Sequence, residues 1–344
     1  MKTIGHESVK ALFRRTLQRG RLASTYLFVG AEGIGKRTFA NDLTKVLLCQ
    51  SQSAVQDLAA CGRCESCKLA DGEGHPDLLT VAKPAGKSSL PIDLFLGRPD
   101  HRNREGLCHE ISLKPYLSTR RIAIIDDADD LGIESANCLL KTLEEPPPHS
   151  LLMLIGTSLS KQLPTIRSRS QVVRFGSLST EEVAAVLQRR GLLLDENEDQ
   201  PAAESEITAL AAASQGSVSK ALAARDHDLA AFREQVIRIL SSEAFDPIRF
   251  AAAVVEQSQA GGAEPAARRE RLKTIIGYAI DHYRDRLRDD AAKGMHDSLT
   301  VERLDRSLTA IEAVDRNANQ ATVIQTWLTG LSAVSQPVAN RSSA

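Results

Sequence analysis

Apolar runs of strand length alternate with helical periodicities through the first half of the chain. Residues 25–30 (TYLFVG) read as a short buried strand closed by glycine. Phe39, Leu43, Val46 and Leu47 then recur at the spacing of one helix face. Residues 78–81 (LLTV) form another strand candidate, and residues 121–126 (RIAIID) a β-rich apolar run closed by acids. A helix is predicted over residues 133–143. Pro146, Pro147 and Pro148 stop it, because proline lacks the N–H that a continuing helix needs. Residues 151–156 (LLMLIG) and 171–175 complete the set of strands. Residues 84–110 are rich in Pro, Gly and charge and read as an irregular, exposed stretch. Strand and helix in alternation imply a largely parallel sheet with helices on both faces.

After Ser177 the pattern becomes Ala- and Leu-rich and helical to the end. A polar stretch at residues 195–206 reads as a loop inside a small helical domain. A second, at residues 259–265, reads as a link between helices of a C-terminal bundle, and the tail from Ser335 as frayed. No short internal repeat stands out. The first ten residues are polar and lack the apolar segment of a signal peptide, and no run is long enough to span a membrane. A cytoplasmic protein without a membrane partner is therefore expected.

At 344 residues, the chain is long enough for two or three domains. Lys and Arg total 43 against 44 Asp and Glu, a formal charge of -1. Tight DNA binding by one chain through phosphate contacts usually brings a basic excess. Aromatic residues, at 4%, offer few platforms for stacked bases. Both observations disfavour a standalone DNA-binding ATPase. Beyond one acidic strand end there is no carboxylate set for two-metal polymerase chemistry.

The chemistry concentrates in two places. Gly30-Ala-Glu-Gly33-Ile-Gly35-Lys36 lies between a strand and a helix, where backbone N–H groups can surround phosphates and Lys36 can reach the outer ones. The next residue should offer a hydroxyl to Mg²⁺, but it is Arg37. Thr38 comes one residue late, turned by about 100 degrees along a helix. Asp126, at a strand end, suits a hydrated Mg²⁺. Asp127 stands where a longer Glu usually polarises water, and the lost methylene shortens its reach. Binding of ATP with Mg²⁺ is left open, while efficient Mg²⁺-dependent hydrolysis is not expected.

The second place is Cys61-Gly-Arg-Cys64-Glu-Ser-Cys67. Its two C-x-x-C steps can wrap one tetrahedral Zn²⁺, with Cys49 as the fourth thiolate and His75 and His109 as competing ligands. Four thiolates leave no open coordination position, so such a zinc is structural and would hold a short insertion that buries little apolar area. Arg63 and Lys68 would offset the excess negative charge. Cys108 and Cys138 stand alone and read as structural residues.

A phosphate loop, a four-cysteine insertion behind its helix, the strand end Ile124-Ile125-Asp126-Asp127, the stretch from Asn137 through Lys141-Thr-Leu-Glu144-Glu145-Pro146-Pro147, and Ile166-Arg167-Ser168-Arg169-Ser170 together resemble bacterial clamp-loader subunits of DNA polymerase III. The resemblance is strong over about residues 26–175 and weak in the helical remainder. It favours Cys49 as the fourth zinc ligand. It implies an α/β fold: an AAA+ P-loop nucleotide-binding domain (residues 1–176) with the zinc module inserted at 49–67. A helical lid (177–228), an all-α collar (229–334) and a disordered tail (335–344) would follow. The implied partners are the tau/gamma and delta subunits in a hetero-pentamer, and through it the sliding clamp and primed DNA. Arg37 favours a non-motor subunit of the delta-prime type, with a tau/gamma-type ATPase motor as the alternative. By resemblance, Arg169 is the trans arginine finger for a neighbour's ATP, with Ser170 where the family has Cys. Thr157 matches a γ-phosphate sensor. Gly216-Ser217-Val218-Ser219-Lys220 matches the lid sensor region, with Ser219 where an arginine is expected.

Overall fold

A computed structural model describes residues 1–72, 74–84, 87, 89–190, 204–224, 227–242, 245–262, 265–316 and 318–333. The chain divides into two compact units, Met1–Ala224 and Arg225–Ala344.

The first unit is built on β1 (Thr25–Val29), β2 (Leu78–Val81), β3 (Arg121–Ile125), β4 (Ser150–Gly156) and β5 (Gln171–Arg174). They pair in parallel in the order β2-β3-β4-β1-β5. β1, β3 and β4 are buried along their whole length. That is the consequence of helices covering both faces of a parallel sheet, and it explains why these strands are continuous apolar runs in the sequence. Alternation within β1 sorts its side chains. Tyr26 and Phe28 join Phe13, Phe39 and Phe175 on one face, while Leu27 and Val29 join Phe95, Leu139 and Leu143 on the other. The order carries the chain from β1 over two strands before it returns, the order expected from the resemblance to an AAA+ P-loop domain. The carboxyl ends of β1 and β3 both open at the edge where the phosphate loop lies.

The sequence placed five strands and the Ile133–Glu144 helix within a residue or two of their observed limits. Two regions differ. The polar reading of the first ten residues overlooks the helix Glu7–Gln18, which docks on the aromatic face through buried Val9 and Phe13 with Leu12 and Leu17 packed beside them. The stretch 84–110 is not simply irregular and exposed. It holds short helical turns at Asp93–Leu96, Pro99–His101 and Leu107–Glu110. Its Leu90, Phe95 and Leu107 enter the second core face. Gly106 makes this closure possible: at φ 87° it is left-handed, and a Cβ there would lie 2.4 Å from the Gly97 nitrogen.

The loop before β3 is organised by one buried carboxylate. Asp77 accepts from the backbone N–H groups of Tyr116 at 2.6 Å and of Leu117 and Ser118 at 2.8 Å, and from Ser118 Oγ at 2.8 Å. Arg121 Nε stands 3.6 Å away. Burial pushes the Asp77 carboxyl up, but those N–H groups outweigh it and hold it below the usual carboxylate range. Asp77→Ala should therefore destabilise the first unit by about 3–5 kcal/mol, because it leaves three backbone N–H groups without their acceptor and removes one of the two carboxylates beside Arg121. The shift of the urea midpoint measures this, and a change below about 1 kcal/mol would contradict the account.

Residues 178–223 add the helices Thr180–Arg190, Glu204–Ala213 and Val218–Ala223 around Leu178, Val183, Leu187, Ile207, Ala211 and Ala221. The lid expected at 177–228 thus falls, up to Ala224, inside the first unit. Most of the polar stretch 195–206 lies outside the described residues, as does the tail from 334.

The second unit consists, among the described residues, of the helices His227–Ser241, Pro247–Gln259, Pro265–Ala292, Ser298–Asp315 and Gln320–Ala333. Phe232, Val236, Phe250, Val254, Ile276, Tyr283 and Trp327 lie in its core. Asp246 caps its helix by accepting from Ile248 and Arg249 N–H, with Pro247 at the first helical position, where no N–H is needed. The stretch 259–265 separates two of these helices, as its composition suggested.

Candidate nucleotide site and metal centre

The strand–loop–helix unit is intact. β1 ends at Val29, and the helix Lys36–Leu48 starts behind Gly35, whose φ of 96° is left-handed. Gly33 is also left-handed at 73°, and a Cβ there would lie 2.5 Å from both Ser217 Oγ and Ser219 Oγ. The helix Val218–Ala223 begins directly on this loop. Val218 N–H donates to Gly33 O at 2.9 Å, and Ser217 Oγ donates to Glu32 O at 2.9 Å. Ser219, where an arginine was expected, is small enough to permit that approach. From the other side His6 Nε2 bonds Ile34 O at 2.7 Å.

Lys36 is buried, and its Nζ donates to Gly30 O at 2.7 Å and Ala31 O at 2.6 Å. Burial lowers its pKa, opposed by Asp129, Glu32 and Asp126. Arg37 reaches from the first helical turn to the end of β3, with Nη1 2.6 Å from Asp126 Oδ2. A divalent cation would need a helix hydroxyl on one side and Asp126 on the other. A guanidinium occupies that bridge, and like charges exclude each other. The residues present therefore do not fit Mg²⁺ at this position. Thr38, one step further round the helix, leaves Arg37 as the side chain that meets Asp126.

Asp127 adopts φ 53°, and its carboxylate accepts from Lys83 N–H at 3.1 Å. Burial raises its pKa. Thr157 is tied down as well: its N–H donates to Asp129 Oδ2 at 2.8 Å and its hydroxyl donates to the same oxygen. Gln162 Nε2 donates to Asp129 Oδ1. Asp129 is thus a hub of this end of the sheet. The sequence offered no means of separating it from its acidic neighbours Asp126, Asp127 and Asp130.

Arg169 follows the short helix Pro164–Ser168. Its Nη2 donates to Glu144 Oε1 at 2.5 Å, and Nη1 donates to Thr165 O and Ser168 Oγ at 3.1 Å each. The side chain is one-third exposed, at 33%. None of these partners belongs to the chain's own phosphate loop.

The four sulfurs of Cys49, Cys61, Cys64 and Cys67 all lie within 4.8 Å of one another. Cys49 Sγ is 3.9 Å from Cys64 Sγ, and Cys61 Sγ 4.0 Å from Cys67 Sγ. A tetrahedral zinc thiolate centre with Zn–S of about 2.3 Å has edges of about 3.8 Å, so the set fits such a metal with little adjustment. Backbone N–H groups of Ser51 and Cys61 donate to Cys49 Sγ, and that of Cys67 to Cys64 Sγ, each at 3.4 Å. Those donors stabilise thiolate charge. The N–H groups of Arg63 and Cys64 hold the Cys61 thiol down to about 6, whereas burial pushes Cys67 up. This group could hold a metal ion.

The two competing histidines are elsewhere employed. Asp77 N–H donates to His75 Nδ1 at 3.0 Å, so the ring proton is on Nε2, which donates to Ser66 Oγ at 2.7 Å. Ser66 Oγ donates in turn to Leu48 O at 2.6 Å. One directional chain thus ties the residue before Cys49 to the start of β2. His109 lies on the short helix Leu107–Glu110, outside the thiol group. Of the two cysteines read as solitary, Cys108 donates to Cys138 O at 3.6 Å, so they are neighbours in the second core face.

A subunit delta' of DNA polymerase III from Pseudomonas aeruginosa is 32% identical over 160 residues, 46% of this chain and 45% of that protein. A tau/gamma subunit from Haemophilus influenzae is 29% identical over 235 residues, 68% of this chain and 31% of that protein. The chain thus covers less than half the length of either relative. A solved gamma subunit-related protein from Thermotoga maritima overlays it loosely, with a TM-score of 0.38 at 16% identity over 95% of this chain and 99% of that one. The family model for "DNA polymerase III, delta subunit" matches residues 5–179, from the first helix through the last strand of the sheet and just over half of the sequence, and the chain belongs to that family.

Proposed function

We propose that the chain is a delta-prime-type subunit of a DNA polymerase III clamp loader. In this reading it assembles with tau/gamma and delta subunits into a hetero-pentameric ring in the cytoplasm. It helps place a sliding clamp on primed DNA and donates Arg169 to the ATP of the adjacent subunit. Residues 177–228 act as the lid and 229–334 as the collar that joins the ring. The thiol group of Cys49, Cys61, Cys64 and Cys67 holds a structural Zn²⁺.

The observation that carries the non-motor reading is the Arg37–Asp126 ion pair at 2.6 Å. A motor subunit needs a hydroxyl at position 37 and a free carboxylate at 126. Here the two positions neutralise each other. Asp127, held by Lys83 N–H, and Ser219, packed on Gly33, support the same reading.

Titrating the purified single chain with ATP, with and without Mg²⁺, tests it. Mg²⁺ should add nothing to binding, and no metal-dependent turnover should appear. Arg37→Thr frees Asp126 and should make binding respond to Mg²⁺. Rapid Mg²⁺-requiring hydrolysis by the unmodified chain would instead establish the tau/gamma-type motor.

A further inference from the structure

We propose that Glu144 is the resting counter-ion of Arg169. It holds the guanidinium on this chain's own domain and so restrains ATP turnover by the neighbour until the triphosphate draws the guanidinium away. The inference rests on the trans-donor reading of Arg169 and assigns a positioning residue to it.

Glu144 is the last residue of the 12-residue helix Ile133–Glu144. A carboxylate there faces the negative end of the helix dipole and works against helix stability. The helix dipole therefore gives no reason for a negative charge at 144. The charge is balanced by Arg169, whose Nη2 donates to Glu144 Oε1 at 2.5 Å. The two residues come from different elements, 25 positions apart in sequence. Nη1 is anchored separately, on Thr165 O and Ser168 Oγ.

The strength of the pair suits a catch that opens. Both partners are substantially exposed, Arg169 at 33% and Glu144 at 50%. Ion pairs of that kind contribute at most about 1 kcal/mol, because water screens them. A guanidinium facing one carboxylate has little net charge to offer a third group. The γ-phosphate of a neighbour, with more charge and metal-fixed oxygens, competes for the same N–H groups and wins once it is in register. A neighbour's site that is out of register leaves Arg169 on Glu144, and hydrolysis there lacks its cation.

The test uses the reconstituted loader without clamp or DNA, comparing the original chain with Glu144→Gln, Glu144→Ala, Arg169→Ala and the Glu144→Gln/Arg169→Ala double variant. Glutamine keeps the shape and the acceptor oxygen but removes the charge. Glu144→Gln should raise ATP hydrolysis about two- to fivefold, the worth of a half-exposed pair. Glu144→Ala should raise it at least as much, and the double variant should match Arg169→Ala alone. A merely structural role for Glu144 would lower activity, or would change it equally in both Arg169 backgrounds. Unchanged or reduced hydrolysis in the Glu144 variants, with Arg169→Ala still inactivating, overturns the proposal and leaves the trans-donor reading standing. If Arg169→Ala itself has no effect, both fall.

Discussion

Replacing Arg169 by alanine is expected to slow ATP hydrolysis at the one site it serves by about 10³-fold or more, the scale of a missing arginine finger. Loss of the side chain should hardly affect the fold. Its described bonds are to Glu144, Thr165 O and Ser168 Oγ at a partly exposed position, and such contacts are worth at most about 1 kcal/mol. The two effects therefore separate: assembly by gel filtration should be unchanged while turnover falls. The measurement is cleanest in a loader whose other ATPase subunits carry inactivated phosphate-loop lysines, leaving one competent site next to this chain. Undiminished hydrolysis there would end the trans-donor reading. Arg169→Lys should recover little, because an ammonium lacks the planar fork that meets two phosphate oxygens at once.

Removing the metal should have the second large effect. One Zn²⁺ per chain is expected after purification with protected thiols. Stripping it, or replacing Cys64 by serine, should unfold residues 49–72, since structural zinc contributes on the order of 10 kcal/mol to small modules that have little core of their own. Among the residues of this module Ala54, Leu58, Ser66, Cys67 and Ala70 are buried, which is too little to fold it unaided. The damage should also spread inward. Leu48 O, Ser66 and His75 link the module to Asp77, so loss of Ser66 from its place loosens the start of β2. Limited proteolysis at residues 50–63, followed by metal analysis, reads the result. A chain that purifies without zinc and resists cleavage would refute the assignment.

Much of this was legible in the sequence because it is local. The three central strands show as apolar runs, since a parallel sheet buries both of their faces. The phosphate loop and the three clustered cysteines show as short spacings. The helix Glu7–Gln18 escaped although Val9, Leu12, Phe13 and Leu17 recur at the spacing of one helix face, because the polar first residues hide the start of that pattern. The folding of residues 84–110 escaped because Leu90, Phe95 and Leu107 sit among prolines, glycines and charges that masked their spacing. The polar hubs were out of reach for another reason. Arg37 and Asp126 are 89 residues apart, and Thr157 and Asp129 are 28 apart. No periodicity connects such pairs; only the strand order brings them together. Sequence spacing identified Arg37 as the wrong residue for a metal site, and the structure added what it does there.

That pairing carries an evolutionary consequence. Asp126 is only 18% exposed whereas Arg37 is 45% exposed, so loss of Arg37 would strand the Asp126 charge, while loss of Asp126 would leave Arg37 to water. A descendant acquiring threonine at 37 would carry a destabilised strand end until a divalent ion was recruited in the same step. The ion pair thus works as a latch: the step that would make room for a metal begins by leaving a largely buried carboxylate unpaired.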